Sequence, residues 1–366
     1  SAAGLQAGSV IKIAETDDFN SFNADNITNE ASLAVNAEVS KLINPSFYYT
    51  DATGKLVANE EFGSVTVVSK SPLKVAYQLT GKAKWSDGQA VTADDLLLSW
   101  LAARNPADSG FDSIRKGSGL KWTTSTPVVS GDKKTLTITY DRAVADWQSA
   151  LTITAAAHVV AQRAFALSDV SAALIRFEQA IETASVADQT LISEQYGKAY
   201  LAREASTLPL VTAGAYKVES FSPGSELTLK ANTSFAWGPL PKIETVKIKF
   251  YADATAMLAA MQQGDVDIAA PAESGIATNG DLISLAKAAS AKYEFAASND
   301  IEAVLLNFAS TSAFASDKSD VVKAAAIKDA FLKLIPRAKI LTALSADNPV
   351  LEAKSWIYAN SSNYYA

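Results

Sequence analysis

Between residues 75 and 85 the apolar positions fall on one parity: Val75, Tyr77, Leu79, Ala83 and Trp85 alternate with Gln78, Thr80, Lys82 and Lys84. Successive side chains of a strand point to opposite faces, so this spacing predicts a half-buried β-strand. Asp87-Gly88 then predicts a turn, because glycine accepts the positive φ that such turns often require. Thr92 is placed to cap a helix, with Asp94 and Asp95 in the first turn near the positive end of its dipole. Leu96, Leu97, Trp100 and Leu101 supply the apolar face of that helix.

The same alternation predicts strands at 10–14, 65–68, 74–80 and 136–140, with Gly131-Asp132 forming a hairpin turn. A helix is predicted from about 30 to 42, capped by Asn29, with Leu33, Ala37 and 39–43 inward and Pro45 stopping it. From Asp146 the chain reads as Ala-rich helix, and 169–202 as one or two helices with a short break. Further on, Val246, Ile248 and Phe250 alternate with Lys247 and Lys249 in a strand. A helix capped by Asp253 follows, with Met257, Leu258 and Met261 apolar and Gly264 closing it, and 265–268 reads as a last strand. Strands interleaved with helices indicate the α/β class.

Length and composition narrow the possibilities. A chain of 366 residues predicts two or three compact units. Apolar residues at 48% and charged residues at 19% place it among globular proteins. With 39 acidic against 32 basic residues the net charge is −7, which argues against nucleic acid as a partner. There is no cysteine, so disulfides, thiolate catalysis and Cys-ligated zinc are excluded. No stretch approaches the length of a membrane span. The opening SAAGLQAGS is small and polar, and reads either as a flexible leader or as a tether to a membrane anchor.

Candidate chemistry is sparse. His158 is the single histidine, too few for a His-based metal site, and no Gly-x-Ser-x-Gly elbow accompanies it. The carboxyl pairs Asp17/Asp18, Asp94/Asp95 and Asp265/Asp267 each have a local explanation, as loop turn, helix N-terminal charge and strand end. No phosphate-binding glycine loop is present. No catalytic residue, metal or cofactor is therefore expected.

Four motifs, in order, carry a resemblance. They are Trp85-Ser86-Asp87-Gly88 with Thr92-Ala93-Asp94-Asp95, then Gly214-Ala215-Tyr216-Lys217, then Asn232 to Ile243 around Trp237-Gly238 and Pro241, then Gln262-Gln263-Gly264-Asp265-Val266-Asp267. A weaker fifth lies at Leu306-Asn307-Phe308 and the helix from Ile327 to Arg337. The chain resembles the extracellular solute-binding proteins of family 5, the peptide/nickel-type substrate-binding components of ABC importers. It departs at Ala215, where proline is usual, and at Pro336, where aspartate is usual.

The resemblance implies a two-lobed periplasmic-binding-protein-like architecture (type II, cluster C) with an extra sub-domain in the first lobe. The first lobe would comprise residues 1–44 and 207–268, the inserted sub-domain 45–206, and the second lobe 269–366, which is expected to be incomplete because family members are longer. Asp267 and Ala269 would lie at the hinge. The Asp18, Phe19, Asn20 and Asn23 loop would approach the ligand, together with Tyr48, Trp122 and Asn307. For each of these, packing or turn formation is the alternative reading. The implied function is capture of a small ligand, foremost a peptide, by a monomer at the outer face of the cytoplasmic membrane or in the periplasm, for delivery to a permease. A secreted hydrolase and a structural surface protein on the same scaffold are the competing readings.

Overall fold

A computed structural model of the chain describes residues 4–27, 30–51, 55–106, 109–123, 125–203 and 210–270. Beyond these it describes 284, 287, 292, 306–309, 311–314 and 321–340. The chain divides into two compact units, Ser1–Gly275 and Ile276–Ala366.

The first unit begins with β1 (Gln6–Glu15), whose burial deepens toward its carboxyl end. It is longer than the alternation at 10–14 predicts, because pairing with a distant strand starts already at Gln6. A 3-10 turn precedes α1 (Leu33–Ile43), which buries Val35, Val39 and Ile43. The hairpin of β2 (Tyr48–Thr50) and β3 (Leu56–Ala58) leads to β4 (Gly63–Lys70) and β5 (Leu73–Leu79). Val75, Tyr77 and Leu79 are buried on β5, as the alternation requires. The turn after it has Gly88 at φ 92°.

The helix α2 (Ala93–Arg104) opens with a capping box. Thr92 accepts from the Asp94 amide at 3.3 Å, and Asp95 accepts from the Thr92 amide at 2.8 Å. Sequence predicts one apolar face, yet every residue from Ala93 to Ala103 is buried, so the helix is enclosed on all sides. Five of these are large apolar side chains, each contributing about 1.5–3 kcal/mol on burial.

β6 (Val128–Val129) and β7 (Thr135–Thr139) complete an antiparallel sheet of order β4-β5-β7-β6. Residues 146–156 are not helical, contrary to the composition. Their backbone groups are taken by other parts of the fold: Ser99 donates to the Thr152 carbonyl at 2.6 Å, and the Ala156 amide donates to the Tyr200 hydroxyl at 3.0 Å. Helix resumes with α3 (Ala157–Phe165), α4 (Val170–Glu182, capped by Asp169) and α5 (Val186–Lys198).

The chain then builds β8 (Tyr216–Ser222), β9 (Glu226–Ala231) and β10 (Ile243–Phe250), an antiparallel meander. α6 (Ala254–Gln262) is capped by Asp253 and followed by Gly264 at φ 75°. β11 (Ile268–Ala270) starts later than the predicted 265–268. The resulting sheet has the order β11-β1-β10-β9-β8, with β1 parallel to both of its neighbours. In the second unit the described residues include α7 (Val321–Leu334), which ends before Pro336.

Candidate functional site: the carboxyl edge of the parallel strands

β10 and β11 lie on opposite sides of β1, so the connection through α6 crosses over β1. In open α/β sheets such a switch point leaves a crevice at the carboxyl ends of the strands, where ligands bind. Here that edge is formed by Glu15, Phe250 and Ala270, which are register partners. The loop from Thr16 to Asn23 leaves from it.

Glu15 is a residue that the motifs do not mark. It is only 6% exposed, and its carboxyl is pushed up to about 8, by burial first and then by the charges of Glu38 and Asp17. Burial also raises Asp17. A signal existed in the sequence: an acidic residue ending an apolar strand on the parity of Ile11 and Ile13 must face the same side as they do.

The loop residues divide by what they touch. Asp18 is exposed and faces Arg203 at 3.6 Å. Phe19, 1% exposed, packs edge-on against Phe22 at 4.8 Å and Phe221 at 5.4 Å and stacks near Phe250 at 6.4 Å. Asn20 accepts from the Asn36 amide at 2.9 Å, which ties the loop to α1. Asn23 is fully buried, donating to the Tyr196 carbonyl and accepting from the Asp25 amide. Phe19 and Asn23 thus sit beneath the loop, holding its shape, while Asp18 and Asn20 lie nearer its surface.

The remaining expected residues lie elsewhere. Tyr48 is half-buried on the β2 hairpin. Trp122 lies under the Arg142 guanidinium, 3.6 Å from the ring centre. Asn307, in the second unit, is exposed and accepts from the Ala309 amide. Asp267 is stitched to β1: its carboxylate accepts from the Lys12 amide at 2.8 Å and its own amide donates to the Lys12 carbonyl. Ala269 pairs with Ala14.

A buried ion pair that sequence does not reveal anchors the far end of the loop. Asp25 accepts from Arg115 at 2.7 and 2.9 Å, from Ser113 at 2.8 Å and from Tyr196 at 2.6 Å. Burial alone would raise its pKa, but the Arg115 charge and these hydrogen bonds hold it below the usual carboxylate range.

The conspicuous motifs turn out to be joinery. Ser86 donates to the Leu210 carbonyl and exchanges backbone contacts with Thr212. Trp237 donates to the Ala213 carbonyl at 2.8 Å, and Asn232 to the Gly214 carbonyl at 3.0 Å. His158 shares a 2.7 Å hydrogen bond with Asp87 beside a cavity of roughly 100 Å³ lined by Gln89, Thr92 and Asp95, too small for a peptide. Among the described residues no group of three metal-ligating side chains occurs, and no helix is long and apolar enough to cross a membrane.

The family model for bacterial extracellular solute-binding proteins, family 5 Middle, matches residues 58–366. The chain belongs to this family. Its α/β fold is like that of the periplasmic binding proteins among solved structures. An uncharacterised lipoprotein of Mycobacterium leprae is 30% identical over 240 residues, covering 64% of this chain and 40% of that protein. One from Mycobacterium tuberculosis is 31% identical over 221 residues, covering 59% and 38%. Among solved structures, the periplasmic EDTA-binding protein EppA superposes with a TM-score of 0.62 at 22% identity, covering 79% of this chain and 47% of that one. The oligopeptide-binding protein AppA from Bacillus subtilis, in complex with a nonapeptide, gives 0.53 at 15% identity, with 77% and 47% coverage. The chain spans less than half the length of these relatives.

Proposed function

We propose that this family 5 protein captures a peptide at the carboxyl edge of β1, encloses it between two lobes and delivers it to a membrane permease. The observation that carries the reading is the switch point at β1, with a polar loop and a buried carboxyl gathered at its open edge. The loop is braced from below by Phe19 and Asn23, so the groups at its surface are preorganised, which lowers the entropic cost of binding. Asp18 and Asn20 are the loop side chains we assign to the ligand, with Tyr48, Trp122 and Asn307 as contributors from other elements and Asp267 and Ala269 at the hinge. The protein acts as a monomer, held by a lipid anchor at the outer face of the cytoplasmic membrane or free in the periplasm. The lipoprotein names of the mycobacterial relatives support that placement. The complex of AppA with a nonapeptide is the comparison that supports a peptide as the solute.

Titration of the protein with a tripeptide pool, read by the fluorescence of its 6 Trp and 12 Tyr, tests this. A saturable shift with the peptides recovered intact is the expected result. Peptide cleavage, or no shift with any pool, counts against it.

A further inference from the structure

We infer that the carboxyl-terminal end of α5 holds the loop after β1 in its binding shape, with Tyr196 as the positioning residue. Ligand occupancy and the grip of α5 on the loop then strengthen each other. This rests on the capture reading above and adds what controls the site from outside it.

The loop between Glu15 and α1 has no ladder of its own, so its backbone groups must find partners elsewhere. On the α1 side Asn36 supplies them, accepting from the amides of Asn20 and Ser21 at 3.3 Å. The contacts to α5 and the residues after it are closer. The Ala202 amide donates to the Asn20 carbonyl at 2.9 Å and the Phe22 amide to the Tyr200 carbonyl at 2.8 Å, flanking an antiparallel bridge between Ser21 and Leu201. Further along, the side-chain amide of Asn23 donates to the Tyr196 carbonyl and that of Asn26 to the Gly197 carbonyl, each at 3.0 Å. As the loop advances from Asn20 to Asn26, its partners recede from Ala202 to Tyr196 and Gly197. Arg203, the next residue after Ala202, lies 3.6 Å from Asp18, so the same stretch reaches a side chain assigned to the ligand.

Helix chemistry explains the match. α5 ends at Lys198, and the last carbonyls of a helix have no partner within it. Asn23 and Asn26 take two of them, so the loop closes the helix while the helix end spaces the loop. Tyr196 grips twice. Besides its carbonyl on Asn23, its hydroxyl donates to Asp25 at 2.6 Å and lies 3.3 Å from the Thr154 hydroxyl. Its ring meets Phe111 edge-on at 5.5 Å. At 2% exposure Tyr196 offers a ligand no surface of its own, so any effect it has on binding passes through the loop.

Such coupling is reciprocal. Where α5 favours the loop shape that binds, bound ligand stabilises the α5 contacts by the same factor. The apparent affinity is the intrinsic one scaled by the fraction of molecules whose loop is in place. A residue that supports only the fold would lower the unfolding temperature and leave affinity alone.

The test uses Tyr196→Phe, which keeps the ring and the carbonyl and removes the hydroxyl. A tripeptide pool is titrated into the protein, into this variant and into Thr92→Ala, whose lost cap lowers stability away from the loop. Ser113→Ala, which withdraws another donor from Asp25, repeats the comparison and serves alone if Tyr196→Phe does not fold. Affinity is expected to fall about three- to tenfold in Tyr196→Phe and to stay unchanged in Thr92→Ala. Hydrogen exchange over residues 16–26 and 196–203 supplies the second readout. Both segments are expected to gain protection when the pool binds the unsubstituted protein, and to exchange faster in unliganded Tyr196→Phe. Unchanged affinity in the Asp25-donor variants, an equal loss in Thr92→Ala, or no added protection of 196–203 on binding would overturn the inference while leaving peptide capture standing. Failure of the pool to bind the unsubstituted protein would overturn peptide capture, and this inference with it.

Discussion

Two buried carboxylates in the first unit respond to pH with opposite signs. Asp25 is held below its ordinary range by Arg115, so its contribution to stability is present at neutral pH and fades as pH falls through its folded value. Arg115→Ala strands that carboxylate among buried groups and is expected to cost about 3–5 kcal/mol, seen as a large fall in unfolding temperature. Glu15 behaves inversely. Its carboxyl moves from 4.5 up to about 8 in the folded protein, so the unfolded chain releases this proton first and stability falls as pH rises across that window. Glu15→Gln is therefore expected to unfold at a higher temperature than the unsubstituted protein at pH 9, the difference disappearing by pH 4. Neither residue stood out in the sequence. Asp25 and Arg115 are 90 positions apart, and nothing local marks them as partners. Glu15 looks like an ordinary strand end until α1 brings Glu38 over it.

Elements whose logic is local were legible. The alternation of β5, the Asp87-Gly88 turn and the Thr92 cap can be read from consecutive residues, and the structure reproduces each, although the strand stops at Leu79 and not at Trp85. Thr92→Ala is expected to cost about 1 kcal/mol in denaturant unfolding, the usual value of a lost N-cap. What could not be read is the environment of the element. α2 lacks a polar face in the structure because other elements enclose it, so Leu101→Ala should cost about 2–5 kcal/mol, as for a core position. Gly214 makes the same point for a motif residue. A Cβ there would lie 2.3 Å from the Leu42 carbonyl oxygen and from Ile43, so Gly214→Ala is expected to force α1 away from the β8 entry and to lower the unfolding temperature markedly. The glycine is required by close approach, which no sequence pattern reports. The helix predicted from Asp146 failed for a related reason: its backbone groups had better partners far along the chain.

At the scale of the molecule, family membership was legible because the motifs are joints between segments distant in sequence, and joints constrain residue type. The Trp85-Ser86-Asp87-Gly88 turn meets the Thr212 segment, which in turn holds Asn232 and Trp237. The candidate binding edge was less legible, because its members come from β1, α1 and the loop, each unremarkable alone. The position of β1 has a further consequence, for the order of events as the protein is made. It is synthesised long before its two neighbours, which lie at 243–250 and 268–270. Until those residues exist, its amides and carbonyls have only water. The β4–β5 hairpin, closed by a short turn, forms its ladder without waiting. Pulse-labelled hydrogen exchange during refolding should therefore show amides of β4 and β5 protected first and those of Lys12 and Ile13 late, together with Ile248. Strand β1 is thus among the last to be enclosed, and the carboxyl edge it carries comes into being only when folding of the first unit is nearly done.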